Sequence, residues 1–354
     1  MPLVLARYLT GIFLARAAAV LLGLAALLQL LDLLDKAGDV LSRGGVLDIG
    51  RYALLRLPST LGQLVPLAVL VGAILTFRRL AAGLEITAMR ASGIGMWRIM
   101  AALAPACLLA AALQVGLQAG LAPRTERALS DWWNHREAQD RPLALSRRIW
   151  LRSGADILAA DAVSPDGTAL GGVLLVRRDA VGRVAQRIAA EEARYGAEGW
   201  RLTGARVLRL GAAREVATPD VTWPEGPSPA EMRDLARPTE AQGLTELLRG
   251  RRGFGPVTRG PAYFATRLQA VAAAALAPFL MLLLAVPSAF GLPRQQGGGR
   301  RAAVGLALGL GYLVAQGLFI AIGEAGGLGP LPAAWSMLPC FAIAGLMRLW
   351  REEA

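Results

Sequence analysis

The chain is 354 residues long, 55% of them hydrophobic and 18% charged, with a mean hydropathy of +0.44 and a formal net charge of +12. That is far more apolar than a soluble domain and marks an integral membrane protein. The basic surplus is almost all arginine, since Lys36 is the one lysine, and it sits at the ends of apolar runs and through the middle segment, where it sets topology instead of binding nucleic acid.

The first apolar run covers residues 12–34, long enough to cross a hydrocarbon core of about 30 Å, with Arg16 near its start placed to snorkel toward the headgroups. Asp32, Asp35, Lys36 and Asp39 end it, and Gly44-Gly45 breaks the helix. A second span is expected at 57–77, opened by Pro58 and crossed by Pro66, and a third at 96–121, closed by Pro123. Between these two lies the charged segment 78–95, too polar for lipid. Leu80, Leu84, Thr87 and Ala88 recur there at helical spacing, Glu85 and Arg90 point elsewhere on the same short helix, and Ser92-Gly93 with Gly95 gives a flexible exit. Such a segment either anchors topology as an interhelical loop or presents a handle to a soluble partner.

Beyond Pro123 the composition turns polar for about 135 residues. After a helical stretch at 124–141, short apolar segments at 149–151, 157–163, 173–176, 184–188, 200–202, 207–210 and 221–223 alternate with turn signals, as in antiparallel sheet. This predicts a β-domain inserted between membrane helices. An amphipathic helix follows, with Thr239 and Gln242 at capping-box spacing and Leu244, Leu247 and Leu248 on one face. Three more spans are expected at 268–286, 302–322 and 331–349, giving six in a three-plus-three arrangement and the divisions 1–123, 124–258 and 259–354. Arginines at 78, 79, 90, 98, 294, 300, 301, 348 and 351 fall on one side, which should be cytoplasmic; both termini are then inside and the β-domain outside.

Chemistry is bounded by what the sequence lacks. Cys107 and Cys340 lie in apolar runs and His135 is the one histidine, so no disulfide framework, metal site or histidine-based catalysis is expected. There is no phosphate-binding GxxxxGK[ST] loop, no GxSxG elbow, and no carboxylate or histidine cluster at bilayer depth. No cofactor is expected, and the chain cannot hydrolyse a nucleotide itself. Gln114, Gln118, Gln269 and Gln316 are neutral amides suited to joining helices, while Gly305 and Gly309 with Gly311 would let a second helix approach the fifth span.

The order of these parts, together with RYLTGIFLAR, DLLDKAGDVLSRGG, LRLPSTLGQLVPLAVLVGAIL and GLEITAMRASGIGMWRI, resembles the LptF/LptG family of lipopolysaccharide export permeases over essentially the whole chain. DLLDKAG and the two prolines of the second span are more like the LptG branch. The resemblance implies an ABC transporter in the inner membrane, in which this chain pairs with an LptF-type subunit and an LptB-type ATPase dimer. Lipopolysaccharide is then handed through periplasmic β-jellyroll domains to an LptC-type bridge. Segment 78–95 becomes the coupling helix, with Glu85 where the family has the carboxylate that meets the ATPase, and Leu84, Met89 and Arg90 beside it; Leu84 replaces a polar residue of the family. At the outer end of the first span Lys36 is what remains of a basic cluster that contacts lipid phosphates, with Asp35 beside it and Gln29 further in.

A multi-chain phosphorylated lipid also needs a lateral opening, an apolar chamber and a cationic rim. The first and fifth spans, with Leu30 and Leu306, are expected to line that opening where they meet the partner subunit. Ile157, Val173, Leu175 and Val207 then form either an apolar surface for acyl chains or the filling of a closed sandwich. A permease for another envelope lipid or lipoprotein, and a non-transporting scaffold, are the competing readings.

Overall fold

The first two apolar runs form helices that outlast the hydrocarbon at both ends: α1 (Leu3–Arg43) and α2 (Val46–Ala82). The computed structural model describes residues 3–43, 45–140, 148–164, 166–179, 181–210, 216–236, 242–252, 257–289 and 298–353. Neither Pro58 nor Pro66 interrupts α2. Pro66 has no N–H for the carbonyl of Gly62, four residues back, and Gln118 supplies the missing donor, its Nε2 donating to Gly62 O at 2.8 Å. The short α3 (Glu85–Ala91) follows, then α4 (Met96–Val115). Pro123 does not close the third span as expected. A π-helical stretch at Gly116–Leu121 runs directly into α5 (Ala122–Asp140), and this widened turn accommodates the missing N–H and the ring of Pro123 without ending the helix.

Among the described residues seven strands come next: β1 (Ile149–Ser153), β2 (Asp156–Ala160), β3 (Ala162–Val163), β4 (Ala169–Arg178), β5 (Val184–Gly196), β6 (Gly199–Arg209) and β7 (Val216–Trp223). They form one antiparallel sheet in the order β1-β2-β4-β5-β6-β7, with β3 paired to β4. The segments expected as separate strands at 200–202 and 207–210 are the two halves of β6. What separates them is Gly204, at φ +66°. Inward residues step by three and not two at this level on three adjacent strands, from Leu170 to Val173, Ala193 to Ala190 and Leu202 to Ala205. Gly172 (φ +60°) and Gly204 supply the left-handed backbone at this crease. The sheet thereby wraps a core in which Leu151, Leu158, Leu175 and Ile188 lie in register across four strands. Buried Trp200 and Trp223 each spend their indole N–H, on Pro227 O at 2.7 Å and Asp156 Oδ2 at 2.9 Å.

The core is flanked by α6 (Pro229–Ala236), whose Met232 is fully buried. A capping box starts this helix: Ser228 N–H and hydroxyl both donate to Glu231 Oε2, and Glu231 N–H donates to Ser228 Oγ. The cap expected at Thr239 lies outside the described residues. The next helix, α7 (Leu244–Arg252), is capped instead by Glu246, which accepts from Gly243 N–H at 3.1 Å, and only Leu247 of its three expected apolar residues is buried.

The remaining helices are α8 (Pro261–Ala274), α9 (Ala277–Ala285) with a 3-10 turn at Val286–Ala289, α10 (Gly298–Glu324), α11 (Pro330–Trp335) and α12 (Met337–Glu353). Among the described residues five helical runs are long and apolar enough to cross a bilayer, and a sixth if α8 and α9, bent by 47°, form one span. Residues Met1–Thr125 with Ala265–Ala354 make one compact unit and Glu126–Phe264 the other.

Candidate functional site

The segment between α2 and α4 is fixed at both ends. Gly83 ends α2, with its N–H on Arg79 O, and Leu84 then adopts φ +58°, the one left-handed non-glycine among the described residues. That turn starts a new helix at Glu85 in a new direction, a backbone strain held by the packing behind it. At the other end Gly93 (φ +79°) bonds to Arg90 O and Ile94 N–H to Met89 O at 3.0 Å each, the two bonds of a Schellman cap. Both ends of α3 are thus locked.

The break at Leu84 also corrects the expected faces of this helix. Leu80 belongs to α2 and is buried, so it does not continue into a stripe with Leu84, Thr87 and Ala88. Inward-facing residues are Ile86 and Met89, packed in the same core as Leu80, Met96 and Ile99. Met89, expected among the docking residues, therefore supports the helix from behind. Leu84, 51% exposed, lines the outer face with Thr87, Ala88 and Ala91. Glu85 opens the helix, where a carboxylate complements the N-terminal dipole, and Tyr8 of α1 donates to its Oε1 at 3.4 Å. Arg90, exposed, occupies the last turn, the favourable end for a cation.

The residues expected to meet lipid fall in different settings. Leu30 is 55% exposed on α1, among Leu27, Leu28, Leu31 and Leu34, which are exposed as well. Lys36 lies 3.3 Å from Asp35 in an exposed pair of little energetic weight. Beside it the end of α1 is fastened to α2: Gln29 Nε2 donates to Ala53 O at 3.2 Å and Tyr52 donates to Asp32 at 2.9 Å. Leu306 is half-buried against the helical core, and on α10 Leu310, Val314, Leu318 and Ile322 form an exposed apolar stripe. Leu175 is 0% exposed, and Val173 is buried with it, whereas Ile157 and Val207 are half-buried.

The glycines expected to seat a partner's helix serve this chain instead, whereas the amides join its own helices as expected. A Cβ on Gly309 would lie 2.2 Å from Leu70 Cδ2 and one on Gly305 3.0 Å from Leu284 O, so these glycines seat α10 on α2 and α9. Gln316 donates to Ala334 O at 2.7 Å and Gln269 accepts from Trp335 Nε1 at 3.0 Å, which makes both amides intramolecular ties. The tie from Gln118 to the carbonyl freed by Pro66 escaped the sequence, because nothing local connects residues 56 apart.

The family model described as lipopolysaccharide export system permease LptF/LptG matches residues 7–351. The chain belongs to the LptF/LptG family. Among its curated relatives are the proteins named lipopolysaccharide export system permease protein LptG from Escherichia coli strain K12 and from Escherichia coli O6:H1 strain CFT073. Each is 22% identical over 338 residues, covering 94% of this chain and 93% of the relative. The match spans both compact units, so the LptF/LptG relationship includes the inserted sheet as well as the membrane helices. As a member of that family the chain is a multi-pass membrane permease, with an antiparallel sheet between its third and fourth spans.

Proposed function

We propose that the chain is the LptG-type permease subunit of an inner-membrane ABC transporter that extracts lipopolysaccharide and passes it toward the outer membrane. Its partners are an LptF-type permease subunit, a cytoplasmic LptB-type ATPase dimer and an LptC-type bridge protein; both termini and α3 face the cytoplasm and the sheet faces the periplasm. The observation that carries the reading is the locked α3. A seven-residue helix with a buried back and a small, mixed outer face between Glu85 and Arg90 transmits a push to the core without deforming. Such a handle is what an ATPase needs in order to turn its own closure into movement of α2 and α4. The uncovered apolar faces of α1 and α10 are suited to the partner subunit and to the lateral opening.

Glu85→Arg tests this. A charge-assisted contact to an arginine on the ATPase is worth about 1.5–3 kcal/mol, and reversal turns it into repulsion. The variant should insert in the membrane and melt like the wild type, yet lose the ATPase on co-purification. A complex of wild-type composition and activity would remove Glu85 from the docking surface.

A further inference from the structure

The inserted sheet carries a pocket on its outer side that neither the handle nor the sheet core uses. Strand pleating turns Leu151 and Leu158 inward and sends Trp150, Arg152 and Ile157 out; Arg152 and Ile157 are cross-strand partners. The exposed edge of β1 is closed by the segment leading into α8, with Arg152 N–H on Val257 O at 2.9 Å and Val257 N–H on Arg152 O at 3.0 Å. On the far side, α7 packs closely against the start of α8. A Cβ on Gly250 would lie 2.4 Å from the Phe264 ring, and this close approach brings Arg251 to the rim. The resulting cavity is about 270 Å³, with Arg152, Arg251 and Arg259 in its lining and Trp150, Ile157 and Pro261 among its apolar walls.

Within the same unit, Arg127, Arg148, Arg177, Arg183 and Arg194 each lie within salt-bridge distance of a carboxylate. Among the described residues Arg152, Arg251 and Arg259 have no carboxylate partner, and Arg259 rests over the ring of Tyr263 at 5.7 Å. Among the described residues Arg187, Arg201 and Arg206 of this unit also have no carboxylate within salt-bridge distance, and what sets Arg152, Arg251 and Arg259 apart is that all three line one cavity. Arg251 has a second use, complementing the C-terminal end of α7, but that end explains neither Arg152 nor Arg259. Arginines lining one cavity with no carboxylate beside them offer an anion a place to bind, and arginine suits phosphate by its forked donors. Pro261 is the first residue of α8, which opens the bent fourth span, so the pocket lies next in the chain to a membrane helix.

We propose that this pocket binds the phosphate of a lipid headgroup, with the apolar walls taking the sugar and the first part of the acyl chains. The lipid source follows from those walls and from Trp150, which is half-exposed: a free phosphate would use the arginines alone. The site rests on the reading that the chain handles lipopolysaccharide, and adds to it a phosphate-reading station on the sheet.

The test uses the full chain in phosphatidylcholine nanodiscs, with a photocrosslinking residue at Thr258 and titration by the bis-phosphorylated lipid anchor of lipopolysaccharide. Arg152→Gln and Arg259→Gln should each weaken capture by about 10-fold or more, since one charged hydrogen bond is at stake, with unchanged melting temperature. The dephosphorylated lipid should bind the wild type no better than the phosphorylated lipid binds the double variant, and millimolar inorganic phosphate should leave capture intact. Wild-type capture by both folded variants, or equal capture of the dephosphorylated lipid, overturns the site; displacement by inorganic phosphate overturns its lipid source. Phosphate-dependent capture in a chain that drives no export would keep the site and sink the transport reading, whereas export with phosphate-blind capture would sink the site alone.

Discussion

Replacing Gly72 by alanine tests the packing of the membrane unit at its tightest seam. A Cβ at that position would lie 2.7 Å from Ala17 Cα, 2.8 Å from Ala17 N and 3.0 Å from Ala17 Cβ. Carbon atoms pack at about 3.5–4.0 Å, and two of the three obstacles are backbone, so no rotamer change relieves the clash. α1 and α2 must part by about 1 Å, against the tie from Arg16 Nη1 on α1 to Leu75 O on α2 at 3.1 Å. Overpacking of this kind costs about 1–3 kcal/mol. At about 2–4 °C per kcal/mol for a unit of this size, the melting temperature should fall by roughly 2–12 °C. The assay is an apparent melt in one detergent at one scan rate, because unfolding of such a protein is commonly irreversible. Gly23→Ala on the same α1 is the control. Nothing lies within 4 Å of its Cβ position, and alanine is the better helix former, so no loss is expected. If Gly72→Ala melts at or above the wild type, or Gly23→Ala loses as much, the α1–α2 seam is not packed as described.

The remaining predictions concern topology, acid response and lipid contact. In a Cys340→Ser background, Val181→Cys in the β4–β5 turn should react with a membrane-impermeant maleimide from the periplasm, and Ala91→Cys on α3 only after the inner membrane is opened; the opposite pattern reverses the orientation. Hydrogen bonds from the Ser164 and Thr168 hydroxyls hold the Asp166 carboxyl below its ordinary value, so its contribution to the sheet is fully present above about pH 4 and fades as pH falls through the depressed value. Asp166→Asn should accordingly lower the melting temperature at pH 7, and the gap to wild type should narrow below pH 4. A gap that widens on acidification would contradict the sign. Photocrosslinkers at Leu30 and Leu306 should capture lipopolysaccharide in the working complex, and one at fully buried Leu175 should capture it only if the sheet core opens during transport; an exporting complex with no crosslink at either membrane site would place the chamber elsewhere.

Much of this architecture is legible in the sequence because bilayer thickness imposes one simple rule, a run of about 20 apolar residues. Ends of the helices obey a different rule. α1 and α2 continue through polar residues such as Asp32, Lys36, Asp48 and Arg51, since helical backbone is self-satisfied in water as well as in lipid, and no apolar count marks where it stops. The faces of α3 are hidden in the sequence for a specific reason: one left-handed residue, Leu84, cancels the spacing that joins Leu80 to Thr87, and a leucine gives no hint of that backbone. The Ser228 to Glu231 box follows a plain S-x-x-E pattern, one that the expectation of a cap at Thr239 and Gln242 leaves unused. The jobs of Gly309 and Gln118 depend on what stands opposite, Leu70 and the carbonyl orphaned by Pro66, and no local pattern records it.

The most direct measurement is ATP-driven release of lipopolysaccharide by proteoliposomes holding this chain with the proposed LptF-type, LptB-type and LptC-type partners. Transfer to a soluble periplasmic acceptor should require ATP and should stop with Glu85→Arg, while the ATPase's own hydrolysis of nucleotide stays intact. Transfer that proceeds without this chain, or that Glu85→Arg leaves unchanged, would contradict the proposed function.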